Sequence, residues 1–360
     1  MKKALQVSAA SLLIALLYLG LWPVPIEPVA WQAPVDRGLV DPFAPNDLLK
    51  VATGIDLGTL EGPEDATLGR DLYIYVTTLD GQIARVRNRR AEKFAFVDGR
   101  PLGIETADDG ALIVANSFLG LQRVDMQGNL STLLGSIDGK TPVYPNNLAI
   151  ADDGKIYFTE ASRKFGADKY RGTYNASLLD IMEHGGHGSV VEFDPASGIA
   201  RTLLDGLNYA NGIAISADNR FLLVAETGSY RVIKYWLTGT NAGQTEVVLE
   251  NLPGFPDNIK SGLNGRFWVG LAAPRNALLD KLSDKPWLRK VVQRLPAAMR
   301  PQAVASSHVI AFNGTGQVLM NLYDPEARFP TLTGVLETKQ SLYLTTLFGH
   351  ELPVIAKRDL

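Results

Sequence analysis

The 360-residue chain contains no cysteine. A disulfide framework, a thiolate metal centre and a cysteine nucleophile are therefore excluded, and stability has to come from a buried core. The length is ample for one. Charge of one sign is also scarce: the formal net charge is −3 and no long basic run occurs, which leaves no electrostatic footprint for a nucleic acid. No Gly-x-Ser-x-Gly elbow appears, and the histidines of "HGGH" at His184 lack the i, i+4 spacing of a zincin. An α/β-hydrolase triad and a helical zinc site are thereby disfavoured.

One long apolar run is present. "MKK" precedes "ALQVSAASLLIALLYLGLW", uncharged from Ala4 to Trp22 and long enough to cross a bilayer as a helix. "WPVPIEPVAW" follows, and Pro and Trp at the exit read as an interfacial anchor and a stiff stalk, not as a signal-peptide cleavage site. Lys2 and Lys3 then stay cytoplasmic. The expectation is a single-pass membrane protein: residues 1–31 as transmembrane anchor and exit, 32–50 as linker, and 51–360 as a body in the periplasm or extracellular space.

Within the body one phrase keeps returning, a polar turn followed by a short strand rich in β-formers. It reads "GRDLYIYVTT" at Gly69, "DDGALIVAN" at Asp108, "DDGKIYFTE" at Asp152, "ADNRFLLVAE" at Ala217, "GLNGRFWVGL" at Gly262 and "TKQSLYLTTL" at Thr338. Second strand pairs such as "GSVVEFDPASGIARTLL" lie between copies. A repeat of about forty residues or more with two hairpins per unit is the signature of a propeller blade, so the fold expected is all-β, a six-bladed β-propeller. Two stretches break the period: a long segment after Thr159, and residues 275–301, which read as a helical insertion. The second could pack on a propeller face, lie against lipid headgroups or form a lid over the central opening.

"GPED" at Gly62, "YPNN" at Tyr144, "YANG" at Tyr209 and "FPDN" at Phe255 each lead into the first strand of a unit. Singly, each is ordinary turn chemistry. In a propeller such loops open on one face, so Glu64, Asn146, Asn211 and Asp257 are expected to point at a common centre. Two carboxylates and two amide carbonyls are hard oxygen donors, a set that suits Ca²⁺ and suits Zn²⁺ poorly.

These residues carry a resemblance. From about Gly62 onward the chain resembles the strictosidine-synthase-like family, in particular its adipocyte plasma membrane-associated branch and bacterial relatives, through "RPLGI" at Arg100, "DDGKIYFTEAS", "YANGIAIS", "LLVAET", "NLPGFPDNI" and "FWVGLAAPRN". More distantly it is similar to the paraoxonases and the gluconolactonase/regucalcin group. The resemblance implies a six-bladed propeller with an axial Ca²⁺ and, in catalytic relatives, hydrolysis of lactones or aryl esters. Carried over, Glu64, Asn146, Asn211 and Asp257 fall on the axial calcium ligands and Asn258 on an additional contact. Some relatives hold a second, buried structural calcium; Asp65 and Asn147 sit where it would need ligands, with Asn where Asp would be stronger. Leu102 occupies the place of a paraoxonase histidine, so that proton relay does not carry over. The catalytic Glu of strictosidine synthase has no counterpart placed here.

The function expected is a calcium-dependent, membrane-tethered hydrolase of lactones or aryl esters acting on a small molecule. Asp257 would be metal ligand and general base or nucleophile. His350 in "LFGHELP" is expected in the loop after the last blade's first strand, either reaching the channel or lying on the surface. A calcium-stabilised binding propeller without turnover and a strictosidine-synthase-type condensing enzyme are the alternatives.

Overall fold

A computed structural model of the chain describes residues 2–137 and 141–360. Six four-stranded antiparallel sheets follow one another along the chain. Their innermost strands are Ala66–Leu68, Pro101–Thr106, Pro145–Ile150, Ala210–Ile215, Gly254–Ser261 and Leu332–Glu337, which we number as blades 1 to 6. Each innermost strand touches the next in chain order, and the first touches the last, so the sheets close around one axis. The expected six-bladed propeller is what the chain folds into.

The recurring phrases explain the blades, with one change of place. In "DDG" the second Asp accepts from the amide two residues on, Asp109 from Ala111 at 3.1 Å and Asp153 from Lys155 at 3.1 Å. Gly110 and Gly154 take φ of 88° and 85°, a conformation that costs glycine least. These turns join the first strand of a blade to its second. The apolar runs after them, such as Ile156–Glu160, which is buried throughout, are therefore second strands. Blade 6 is completed by the amino-terminal side of the chain: Thr53–Asp56 pairs with Glu351–Val354 as its outermost strand.

Three additions stand on the face where the innermost strands begin. Helix α1 spans Lys2–Leu21, α2 (Thr173–Glu183) lies in the long segment of blade 3, and α3 (Ala277–Lys281) with α4 (Pro286–Arg294) lies within residues 275–301.

The amino-terminal expectation is overturned. Among the described residues no helix is long and apolar enough to cross a membrane, so the transmembrane anchor and the single-pass localisation derived from it are not supported. The exit is also engaged elsewhere. Tyr18 donates its hydroxyl to the Arg294 carbonyl at 3.1 Å, and the Arg294 guanidinium donates to the carbonyls of Leu19 and Trp22 at 2.8 and 2.6 Å. Trp22, Pro23, Val24 and Pro25, expected as an interfacial anchor and stalk, line the central pocket instead. The side chains of Lys2 and Lys3, on which the orientation rested, lie outside the described residues.

Candidate metal and substrate site

An irregularity interrupts the pairing of five innermost strands at the same place. The register shifts between Pro101 and Ile104, Pro145 and Leu148, Ala210 and Ile213, Pro256 and Ile259, and Leu332 and Gly334. A bulge bends its strand and re-aims side chains. The residues inside these bulges, together with Glu64 and Asp65 just ahead of the first strand, form two layers across the axis.

The upper layer is Glu64, Leu102, Asn146, Asn211, Asp257 and Thr333. Glu64, Asn146, Asn211 and Asp257, the four expected donors, are 3, 4, 4 and 7 % exposed, and all four line the same pocket. Leu102 and Thr333 fill the two remaining blades. Thr333 donates its hydroxyl to the Glu64 carbonyl at 2.7 Å.

The lower layer alternates polar side chains with glycine: Asp65, Gly103, Asn147, Gly212, Asn258, Gly334. A Cβ on Gly103 would stand 2.7 Å from the Asn147 Cα, and one on Gly212 would stand 2.1 Å from the Ile259 nitrogen. Three side chains fit because three are missing. The Asn258 amide donates to the Glu64 carbonyl at 2.9 Å and its Oδ1 accepts from Asn147 at 2.8 Å. Asn258, expected as an additional metal contact, is thus fully buried beneath the donors and takes no part in lining the pocket.

Burial perturbs the carboxyls of both layers, and in the lower one it pushes Asp65 up to about 6 against the pull of Lys260. Burial pushes the carboxyls of Glu64 and Asp257 above the usual carboxylate range; the neighbouring Glu64 charge pushes Asp257 further, while Arg100 pulls Glu64 partly back. Arg100 Nη2 lies 3.2 Å from Glu64 Oε2 with both side chains 4 % exposed. The amide oxygens of Asn146 and Asn211 are buried without a hydrogen-bond partner, a state that costs free energy unless something donates or coordinates there. Below, Lys260 Nζ lies 2.9 Å from Asp65 and 2.7 Å from Glu105. Four carboxylates, Glu64, Asp257, Asp65 and Glu105, thus face two cations, Arg100 and Lys260. Ionised, the four leave a formal excess of two negative charges; that excess and the two orphaned carbonyl oxygens fit a hard divalent cation, whose charge would offset the burial that pushes Glu64 and Asp257 up. Among the described residues no group of three or more His, Asp or Glu is set to hold a metal; the donor set here is mixed carboxylate and amide.

Above the donors lies a cavity of about 650 Å³. Tyr144, Tyr209 and Phe255, each two residues ahead of a donor, form its lower wall, and Arg100 holds the equivalent place in blade 2. The Tyr144 and Tyr209 hydroxyls are 2.6 Å apart. The upper walls come from α2, from Leu279 of α3, from Gln293 and Arg294 of α4, from residues 300–304 and from Trp22–Pro25. His350 is exposed and lies in the loop between the second and third strands of blade 6; its Nδ1 donates to the Leu60 carbonyl at 3.0 Å, and it takes no part in lining the pocket. Arg100 and Lys260 were not singled out in the sequence. Lining up the six innermost strands on their donor positions is the signal that places both.

The Strictosidine synthase family model matches residues 146–240, and the Strictosidine synthase-like, N-terminal model matches residues 41–86. The adipocyte plasma membrane-associated protein of Homo sapiens is 31% identical over 347 residues, covering 89% of this chain and 81% of that protein. Strictosidine synthase-like protein 13 of Arabidopsis thaliana is 33% identical over 288 residues, covering 77% and 70%. Among solved structures, a gluconolactonase of Xanthomonas campestris superposes with a TM-score of 0.63 at 18% identity, covering 91% of this chain and 97% of that one. Regucalcin of Agrobacterium tumefaciens, described as a calcium-binding protein, gives 0.58 at 13%, covering 84% and 92%. At such identities these two structures bear on the fold alone. The relatives at the sequence level bear on kinship, and the chain belongs to the strictosidine synthase-like family, together with the adipocyte plasma membrane-associated proteins.

Proposed function

We propose that the protein is a calcium-dependent hydrolase of lactones or aryl esters, with Glu64, Asn146, Asn211 and Asp257 holding the ion. The observation that carries this reading is the convergence of these four donors, from four blades, on the floor of one pocket, with two of their oxygens buried and unpartnered. A bound Ca²⁺ would supply Lewis acidity toward an ester carbonyl. Asp257 stands at the same floor, and its carboxylate is the group placed to take a proton from an attacking water. Arg100 fixes Glu64 from the side. Tyr144, Tyr209 and Phe255 give the leaving group or acyl chain an apolar wall and keep water from it. The gluconolactonase fold relationship agrees with lactone chemistry but does not choose between lactones and aryl esters.

The test is turnover by the full chain of phenyl acetate and a panel of lactones, in calcium and after chelation. Chelation should abolish turnover and calcium should restore it, and Asp257→Asn should lose at least ~100-fold, the range of a general base. Calcium-dependent melting without turnover of any panel member would discard the hydrolase in favour of a binding propeller. Turnover indifferent to chelator would discard the ion.

A further inference from the structure

Lys260 sits where a side chain of its type is least expected. It is 3 % exposed and projects from blade 5 to the region of blade 2, which stands opposite across the axis in a ring of six. Its ammonium has three donors and meets three oxygens: Asp65 Oδ2 at 2.9 Å, the Ile104 carbonyl at 2.7 Å and Glu105 Oε1 at 2.7 Å. Two carboxylates and a carbonyl are the donors that hard metal ions take. Next to them stands Asn147, whose amide nitrogen is 3.4 Å from Asp65 Oδ2 and whose Oδ1 is buried with no partner. The second structural calcium implied by the family resemblance thus does not fit this chain, because an ammonium already stands at Asp65.

We propose that Lys260 is a built-in cation occupying the lower half of the axial column, so that the protein takes one divalent cation and not two. Removing the ammonium converts Asp65, Glu105, the Ile104 carbonyl and Asn147 into a latent second cation site. Glu105, with 28 % of its side chain exposed, gives that site an approach from solvent. The lower half of the claim stands on the Lys260 contacts alone; only the count of one for the wild type rests on the donor ring proposed above.

The experiment is calcium titration of the chelator-treated full chain, read as ions bound per chain by calorimetry and by metal analysis. Wild type and Lys260→Arg should bind one ion and Lys260→Ala two, and Asp65→Asn added to Lys260→Ala should return the count to one. A Lys260→Ala count equal to wild type overturns the proposal. A wild-type count of two overturns it while leaving the donor ring standing; a count of none in wild type and one in Lys260→Ala supports it while removing the donor ring. If Lys260→Ala is unfolded without metal, recovery of native near-ultraviolet dichroism in millimolar calcium with one more ion bound than wild type supports the proposal, and recovery without the extra ion, or no recovery, overturns it.

Discussion

Asp180 is fully buried in α2, and neither carboxyl oxygen has a hydrogen-bond partner. Ser162 stands close enough to offset part of the cost without meeting hydrogen-bond geometry, and burial dominates, pushing the carboxyl up to about 7. The consequence for stability has a definite sign. The folded chain holds a proton on Asp180 that the unfolded chain releases near its ordinary value of 3.8; stability from this group is complete below that pH and is lost as pH rises through about 7. At about 1.4 kcal/mol per unit, the loss is on the order of a few kcal/mol. Asp180→Asn, which keeps the shape without the charge, should melt above wild type at pH 8 and near it at pH 4, as followed by thermal denaturation across pH. A parallel melting profile for the two proteins would show that the carboxyl is not paying a desolvation cost. Nothing in the sequence around Asp180 announces this, because an Asp in an amphipathic helix reads as solvated until the helix is seen with that face packed on a propeller.

At the scale of the strand, the bulged innermost strands do the positioning, and their glycines are as necessary as their donors. A Cβ on Gly212 would fall 2.1 Å from the Ile259 nitrogen and 2.4 Å from the Asp257 carbonyl, both backbone atoms of the strand that carries a donor. Gly212→Ala should cost on the order of 1–3 kcal/mol through overpacking and weaken calcium binding at least tenfold in the same titration. Gly135→Ala, which meets only the Thr132 methyl at 3.5 Å, is the control and should do neither. Arg289 plays the corresponding part for the pocket wall. Fully buried, it donates to the carbonyls of Met182, Glu183 and Ser283 at 2.9, 3.3 and 3.0 Å and to that of Val29, tying α2, the α3–α4 junction and the segment after α1 together. The Glu183 and Ser283 carbonyls also accept from the Val29 and Trp31 amides, so Arg289→Met leaves those of Met182 and Val29 unsatisfied, at about 1–3 kcal/mol each where water cannot reach them, and should make residues 275–301 an early site of limited proteolysis. The strands, their Asp-Gly turns and the four donor phrases were legible in the sequence because each is a local pattern that repeats. Arg100 and Lys260 were not, since their partners Glu64 and Asp65 lie far off along the chain and meet them only when the blades close. The run from Ala4 to Trp22 misled for the converse reason: its apolar length is a local fact, whereas the pocket that receives Trp22 is built from several blades.

For the whole molecule, everything on the axis depends on ring closure, and closure depends on four residues before the first blade. Thr53–Asp56 supplies the outer strand of a blade whose other three strands end the chain, with Thr53 opposite Val354 and Ile55 opposite Leu352. If this strand frays, blade 6 loses its edge and the inner ring loses the constraint that sets Thr333 against Glu64. The lack of cysteine makes the point testable without competing thiols. Opposed residues on antiparallel strands have Cα atoms about 4.5 or 5.5 Å apart, within the range a disulfide spans, and a bond between positions 53 and 354 closes a loop around nearly the entire propeller. Loop-closure entropy gives such a bond about 5 kcal/mol as an upper figure. Thr53→Cys with Val354→Cys should therefore melt several degrees higher when oxidised than when reduced, and calcium binding should survive to the same higher temperature. A gain in melting temperature without retained binding would separate closure from the site. No gain on oxidation would mean that the ring does not open at this seam and that another blade junction limits its stability.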